Sequence, residues 1–124
     1  MQKSISILCI DYSFVVISGG SESWDSLKSS TEVLNVSEAK PQWKMIEVLE
    51  LPVPMSSLKG VILGPDFFIS AGWGGSKFLK FLDKIMKMSC HNGTFQLETL
   101  ATTLQVPRDS HVFLPLPASM AVCN

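Results

Sequence analysis

Long apolar runs, an excess of basic charge and paired cysteines are all lacking in this chain of 124 residues. No stretch approaches the roughly 18 consecutive apolar residues that a membrane-spanning helix needs, so no membrane span is expected. Ten Lys and Arg side chains stand against eleven Asp and Glu, a formal net charge of −1, with no basic stripe and no charged tail. A nucleic-acid partner, which needs concentrated positive charge, is therefore not expected. The three cysteines, Cys9, Cys90 and Cys123, are odd in number, far apart and without a C-x-x-C pair. That is poor material for a zinc site or a disulfide framework, and it reads as buried free thiols in a reducing, cytoplasmic setting. Histidine is limited to His91 and His111 and tyrosine to Tyr12, so neither a metal site nor a cofactor is expected. Phosphate-binding loops, H-E-x-x-H and G-x-S-x-G are also missing.

What is present is apolar material in short, punctuated pieces. Hydrophobic residues make up 46% and charged residues 17%, which supplies a core and argues against disorder. The N-terminal apolar stretch, residues 4–10, ends at Asp11 with no small-residue cleavage site, and reads as a first strand rather than a secretory signal.

The chain then repeats itself. Phe14-Val15-Val16-Ile17-Ser18-Gly19-Gly20 has a counterpart in Asp66-Phe67-Phe68-Ile69-Ser70-Ala71-Gly72, with Gly20 and Gly72 separated by 52 residues. At that offset the alternating stretch 31–36 falls opposite 83–88 and Trp43 falls opposite Phe95. Leu51-Pro52-Val53-Pro54-Met55 is answered, one residue later, by Val106-Pro107-Arg108, and apolar stretches follow at 58–63 and 112–116. Alternation of apolar and polar residues is the period of a half-buried strand. Residues 78–88 are apolar often enough to suggest a helix, but their β-branched, alternating partner decides for a loop followed by a strand. Gly64-Pro65-Asp66, Ser37 to Pro41 and Asn92-Gly93 supply turns, and 21–30 and 73–80 read as long exposed loops. The expectation is an all-β chain of two four-stranded antiparallel units, repeat 1 over about 4–55 and repeat 2 over about 56–107, with the first strand of a third unit at 108–117.

This pattern resembles the kelch repeat. An apolar strand ends in the pair Gly19-Gly20, and Ser30-Thr31-Glu32-Val33-Leu34 opens an alternating strand. Trp43 opens the next, Pro52-Val53-Pro54-Met55 leads into the second unit, and Pro107-Arg108-Asp109-Ser110-His111 looks like another junction between units. The resemblance covers roughly residues 4–116. The second unit departs from it, with Ala71 at the first glycine and Phe95 at the tryptophan. It implies blades of a kelch-type β-propeller forming an incomplete ring. Gly19, Gly20 and Gly72 are expected to permit positive φ and close approach. Trp43 and Phe95 are expected to fill the space between neighbouring sheets. Two units would leave edges and apolar faces open, so further blades or self-association are expected to complete the ring.

The expected function is a protein–protein interaction module, a substrate adaptor or actin-associated scaffold, rather than an enzyme. Trp24 and Trp73, each in a loop after a glycine pair, and Arg108 at the other loop type are the candidate partner-binding residues. Asp109-Ser110-His111 contains the residue types of a hydrolase triad, but adjacent strand residues face opposite sides. The alternatives are a propeller enzyme whose active residues lie outside this chain, or a secreted glycoprotein. The latter rests on two N-x-S/T sequons, at Asn35 and Asn92.

Overall fold

A computed structural model describes residues 14–23, 26–91, 93–109, 111–117 and 119. The expected strand at 4–10, Trp24 and Asn92 lie outside these residues. The described chain is all-β, built from antiparallel sheets of which none closes on itself. Its helical element is one 3₁₀ turn, Glu47–Leu49.

The first sheet contains β1 (Phe14–Ser18), β4 (Thr31–Asn35) and β5 (Trp43–Met45), in the order β1-β4-β5. Between β1 and β4 the chain makes a small hairpin of β2 (Ser21–Ser23) and β3 (Ser26–Leu27), where an irregular loop was expected. The second sheet contains β6 (Met55–Ser56), β7 (Lys59–Leu63), β8 (Asp66–Gly74), β9 (Lys80–His91) and β10 (Thr94–Thr103). Its order is β10-β9-β8, with both β6 and β7 pairing β8. Met55 is opposite Gly74 and Lys59 is opposite Ser70, so β6 and β7 run in one register along β8. Ser57, with φ +56°, interrupts them.

The β1–β4 pair of the first sheet and the β8–β9 pair of the second share a register. In the first, Phe14 faces Asn35 and Val16 faces Val33; in the second, Phe67 faces Met88 and Ile69 faces Met86. Every such pair is displaced by 53 residues on both strands (14 to 67, 35 to 88). The glycines keep the spacing of 52 because the pairing of β8 with β9 shifts by one between Ser70 and Gly72. A one-residue bulge absorbs the difference and leaves the inward-facing residues in phase.

Inward-facing side chains of both sheets meet the segment that links them. Val33 of β4, Ile69 of β8 and Met86 of β9 are fully buried, and Leu49, Leu51 and Met55 from the link lie among them. The 3₁₀ turn places Leu49 in this core and rests against β10. Phe14 and Phe95 join the two sheets edge to face, with centroids 5.4 Å apart, a geometry that adds about 0.5–1.5 kcal/mol beyond burial. Two polar residues of the described chain, Thr31 and Ser70, sit inside. Thr31 is fully buried, and its hydroxyl donates to the Leu49 carbonyl at 2.7 Å while accepting from Ser18 Oγ at 2.6 Å. The buried hydroxyl is thus satisfied on both sides, as burial requires.

Two expectations need correction. The stretch 112–116 forms no strand; residues 111–117 pair with no neighbour among the described residues. Pro115 and Pro117 remove backbone donors from the sequence Leu114-Pro115-Leu116-Pro117, which defeats a sheet ladder. Cys90 is also not a free thiol: it is disulfide-bonded. Distance along the chain did not limit which cysteines could meet in space.

Candidate functional site

One pattern of backbone hydrogen bonds occurs twice, holding the link between the sheets against the first sheet and the segment after β10 against the second. Gly20 N–H donates to the Met55 carbonyl at 2.9 Å, and Gly72 N–H to the Arg108 carbonyl at 3.1 Å. Met55 N–H donates to Lys28 and Arg108 N–H to Leu82, while Leu51 N–H donates to Ser29 and Leu104 N–H to Asp83. Gly19 permits this approach at the first of the two, and Gly72 permits the close pairing of β8 with the 56–58 segment inside the second sheet. A Cβ on Gly19 would lie 2.7 Å from the Met55 carbonyl oxygen, and one on Gly72 would lie 2.6 Å from that of Ser56. Their φ values, +67° and +136°, also favour glycine. Arg108 takes part through its backbone. Its side chain is exposed and, among the described residues, bonds the nearby Val106 carbonyl at 3.3 Å.

A second constellation joins β8 to the segment after β10. Ser70 Oγ lies 2.6 Å from His111 Nε2, and Ser70 is fully buried. His111 Nδ1 is buried and has no hydrogen-bond partner among the described residues. A serine nucleophile needs an open approach for substrate and a third group holding the far ring nitrogen. Ser70 is fully buried and, among the described residues, no third group holds Nδ1; the bond ties β8 to the segment after β10. The triad residue types at 109–111 contribute only His111 to it; Ser110 lies outside the described residues.

A groove of about 400 Å³ lies between the link and the outer part of β9. Pro52, Val53 and Met55 form one wall, Leu82, Met86 and Thr99 the floor, and Gly75, Ser76 and Phe78 the far side. Lys77, Lys80 and Lys84 rim it. The ion pairs of the described residues, Lys28–Glu22, Lys44–Glu38 and Lys87–Glu98, leave these three lysines out. Beside the groove, Phe78 is 80% exposed and Phe81 52% exposed. Solvent contact on that scale by neighbouring aromatic rings is unusual for a surface with no partner.

The candidate residues distribute unevenly around these features. Trp73 is not in a loop: β8 continues through Gly74, and Trp73 pairs with Phe81 of β9. Its indole packs edge to face on the Phe81 ring, with centroids 5.0 Å apart. Trp43 stands on the edge strand β5, 43% exposed, whereas Phe95 carries the contact between the sheets. Asn35 ends β4 at the start of an exposed turn. Phe78 and the three lysines were not singled out from the sequence. Their signal was Lys77-Phe78-Leu79-Lys80-Phe81, an apolar and basic run directly after Gly74-Gly75-Ser76.

Among the described residues no group of three or more His, Cys, Asp or Glu is placed to hold a metal ion. No helix among them is long and apolar enough to cross a membrane. No protein-family model and no curated protein matches the chain.

Proposed function

We propose that this chain is a protein-interaction module built as kelch-type propeller blades, binding its partner at the lysine-rimmed groove and the adjoining loop 75–79. The observation that carries the reading is the exposed Phe78 ring beside an apolar floor, ringed by three ammonium groups outside the ion pairs of the described residues. Aromatic anchors surrounded by polar groups are what protein interfaces use for affinity, and fixed charge around them sets which partner is accepted. The blade reading is supported by the common register of the β1–β4 and β8–β9 pairs and by the pattern of backbone bonds that occurs twice. In this reading the chain itself performs no catalysis.

Cross-linking of the native protein in extracts of its source, followed by the same experiment with Phe78→Ser and Lys80→Glu variants, tests the proposal. The variants should retain the wild-type thermal midpoint, because both side chains are exposed, and lose the cross-linked partner. Retention of the partner by both variants overturns the site.

A second reading, a secreted glycoprotein with the same blades, is favoured by the disulfide at Cys90. Disulfides persist in oxidising compartments, whereas a cytoplasmic adaptor would keep its thiols reduced. Alkylation of unreduced native protein discriminates: a modified Cys90 supports the cytoplasmic adaptor, and an unmodified one the secreted form.

A further inference from the structure

We infer that Asn35 is an N-glycosylation site and that the folded protein carries its glycan at the tip of the first sheet. The inference rests on the secreted reading and adds to it a particular residue.

Four observations converge. Asn35-Val36-Ser37 has the acceptor spacing, and residues 36–43 beyond it are all exposed, so a bulky substituent meets no packed surface on that side. The local geometry is suited to the reaction. Asn35 Oδ1 accepts from Ser37 N–H at 3.0 Å and from Ser37 Oγ–H at 2.6 Å, closing a turn on itself. Hydrogen bonds donated to an amide oxygen stabilise negative charge there, which eases loss of a proton from Nδ2. With Oδ1 so engaged, Nδ2 makes no hydrogen bond among the described residues. Independently, the disulfide at Cys90 places folding in a compartment of the kind where such transfer occurs.

The step balances with a lipid-pyrophosphate-linked oligosaccharide as co-reactant. Nδ2 attacks C1 of the first sugar, an N–C bond forms, the C–O bond to pyrophosphate breaks, and the lipid pyrophosphate leaves with the bonding pair. The amide proton passes to a base of the transferring enzyme. Ser37 stays unmodified; its hydroxyl holds the amide in position.

The test uses native protein purified from its source with free thiols blocked, digested and treated with peptide N-glycosidase. The peptide containing Asn35 should be absent before treatment and appear after it with that side chain converted to aspartate. In eukaryotic cells secreting the full chain in an Asn92→Gln background, Ser37→Ala should abolish the glycosidase-sensitive mobility step. Ser37→Thr, which keeps the hydroxyl, should restore it. Unmodified Asn35 with Cys90 oxidised overturns the glycan site and leaves the secreted reading standing. Unmodified Asn35 with Cys90 as a thiol overturns both.

Discussion

Alanine at Gly19 and alanine at Gly64 make a matched pair of perturbations. The two glycines have nearly the same φ, +67° and +62°, so an added Cβ meets the same backbone penalty of about 1–2 kcal/mol at either position. Both substitutions also stiffen the unfolded chain similarly. Their surroundings differ completely. A Cβ at Gly64 has nothing within 4 Å, whereas at Gly19 it lies 2.7 Å from the Met55 carbonyl oxygen and 3.1 Å from Leu51 Cδ1. The carbonyl cannot retreat freely, because it accepts the Gly20 N–H at 2.9 Å. Displacing it adds the loss of that bond, about 1 kcal/mol, and about 1–3 kcal/mol if a group is left buried and unpaired. Gly64→Ala should therefore cost about 1 kcal/mol and Gly19→Ala about 3 kcal/mol. At about 4 °C per kcal/mol for a domain of this size, thermal unfolding followed by circular dichroism should separate the two midpoints by roughly 8 °C. Protein concentration must be held fixed, since any self-association shifts the midpoint. Equal losses at the two positions would refute the argument that the link is clamped against β1 through the Met55 carbonyl.

Other substitutions probe separate parts of the molecule. Thr31→Val keeps the shape but leaves the Leu49 carbonyl and the Ser18 hydroxyl without their partner, and should cost about 1–3 kcal/mol in denaturant unfolding. Trp73→Ala should lower stability by about 2 kcal/mol through lost packing on Phe81, while partner binding by the fraction that remains folded is unchanged. Cys90→Ser should remove about 2–4 kcal/mol, the usual contribution of a disulfide; a reducing agent should destabilise the wild-type protein by the same amount and the variant not at all.

Much of the architecture was legible in the chain because sheets write their pattern with period two. Val33 lies in a stretch read as an alternating strand and is fully buried; the 52-residue spacing set Ile85 opposite it, whereas the 53-residue register of the paired strands puts the fully buried Met86 there. The residues 80–91 do form a strand, although their apolar density suggested a helix, because the buried Leu82, Met86 and Met88 all fall on one face at the strand period of two. What could not be read was anything decided by packing across sheets. Trp43 and Phe95 match at the sequence offset of 52, but the sheets place them differently: Trp43 lies opposite Leu34 on an edge strand, whereas Phe95 lies opposite Cys90 and meets Phe14 of the first sheet. Trp73 follows a glycine that looked like the end of a strand; the bulge at Ser70–Gly72 instead lets β8 continue past it. Of the site, the glycines were legible through their spacing. The groove was not, since its walls come from residues 52–55, 75–86 and 99, which are distant in sequence.

The place where the repeat divides has a practical consequence for anyone dissecting the molecule. Counted along the sequence, the boundary between units falls between residues 55 and 56. In space those two residues are a single strand, β6, paired with β8 of the second sheet. Met55 at the same time donates its N–H to Lys28 and accepts from Gly20, both ahead of the boundary. A truncation there would therefore strip a strand from one half and a hydrogen-bonding partner from the other. The separable piece, if one is wanted for expression or domain shuffling, has to carry the segment 51–58 in both versions, as overlapping fragments rather than adjoining ones.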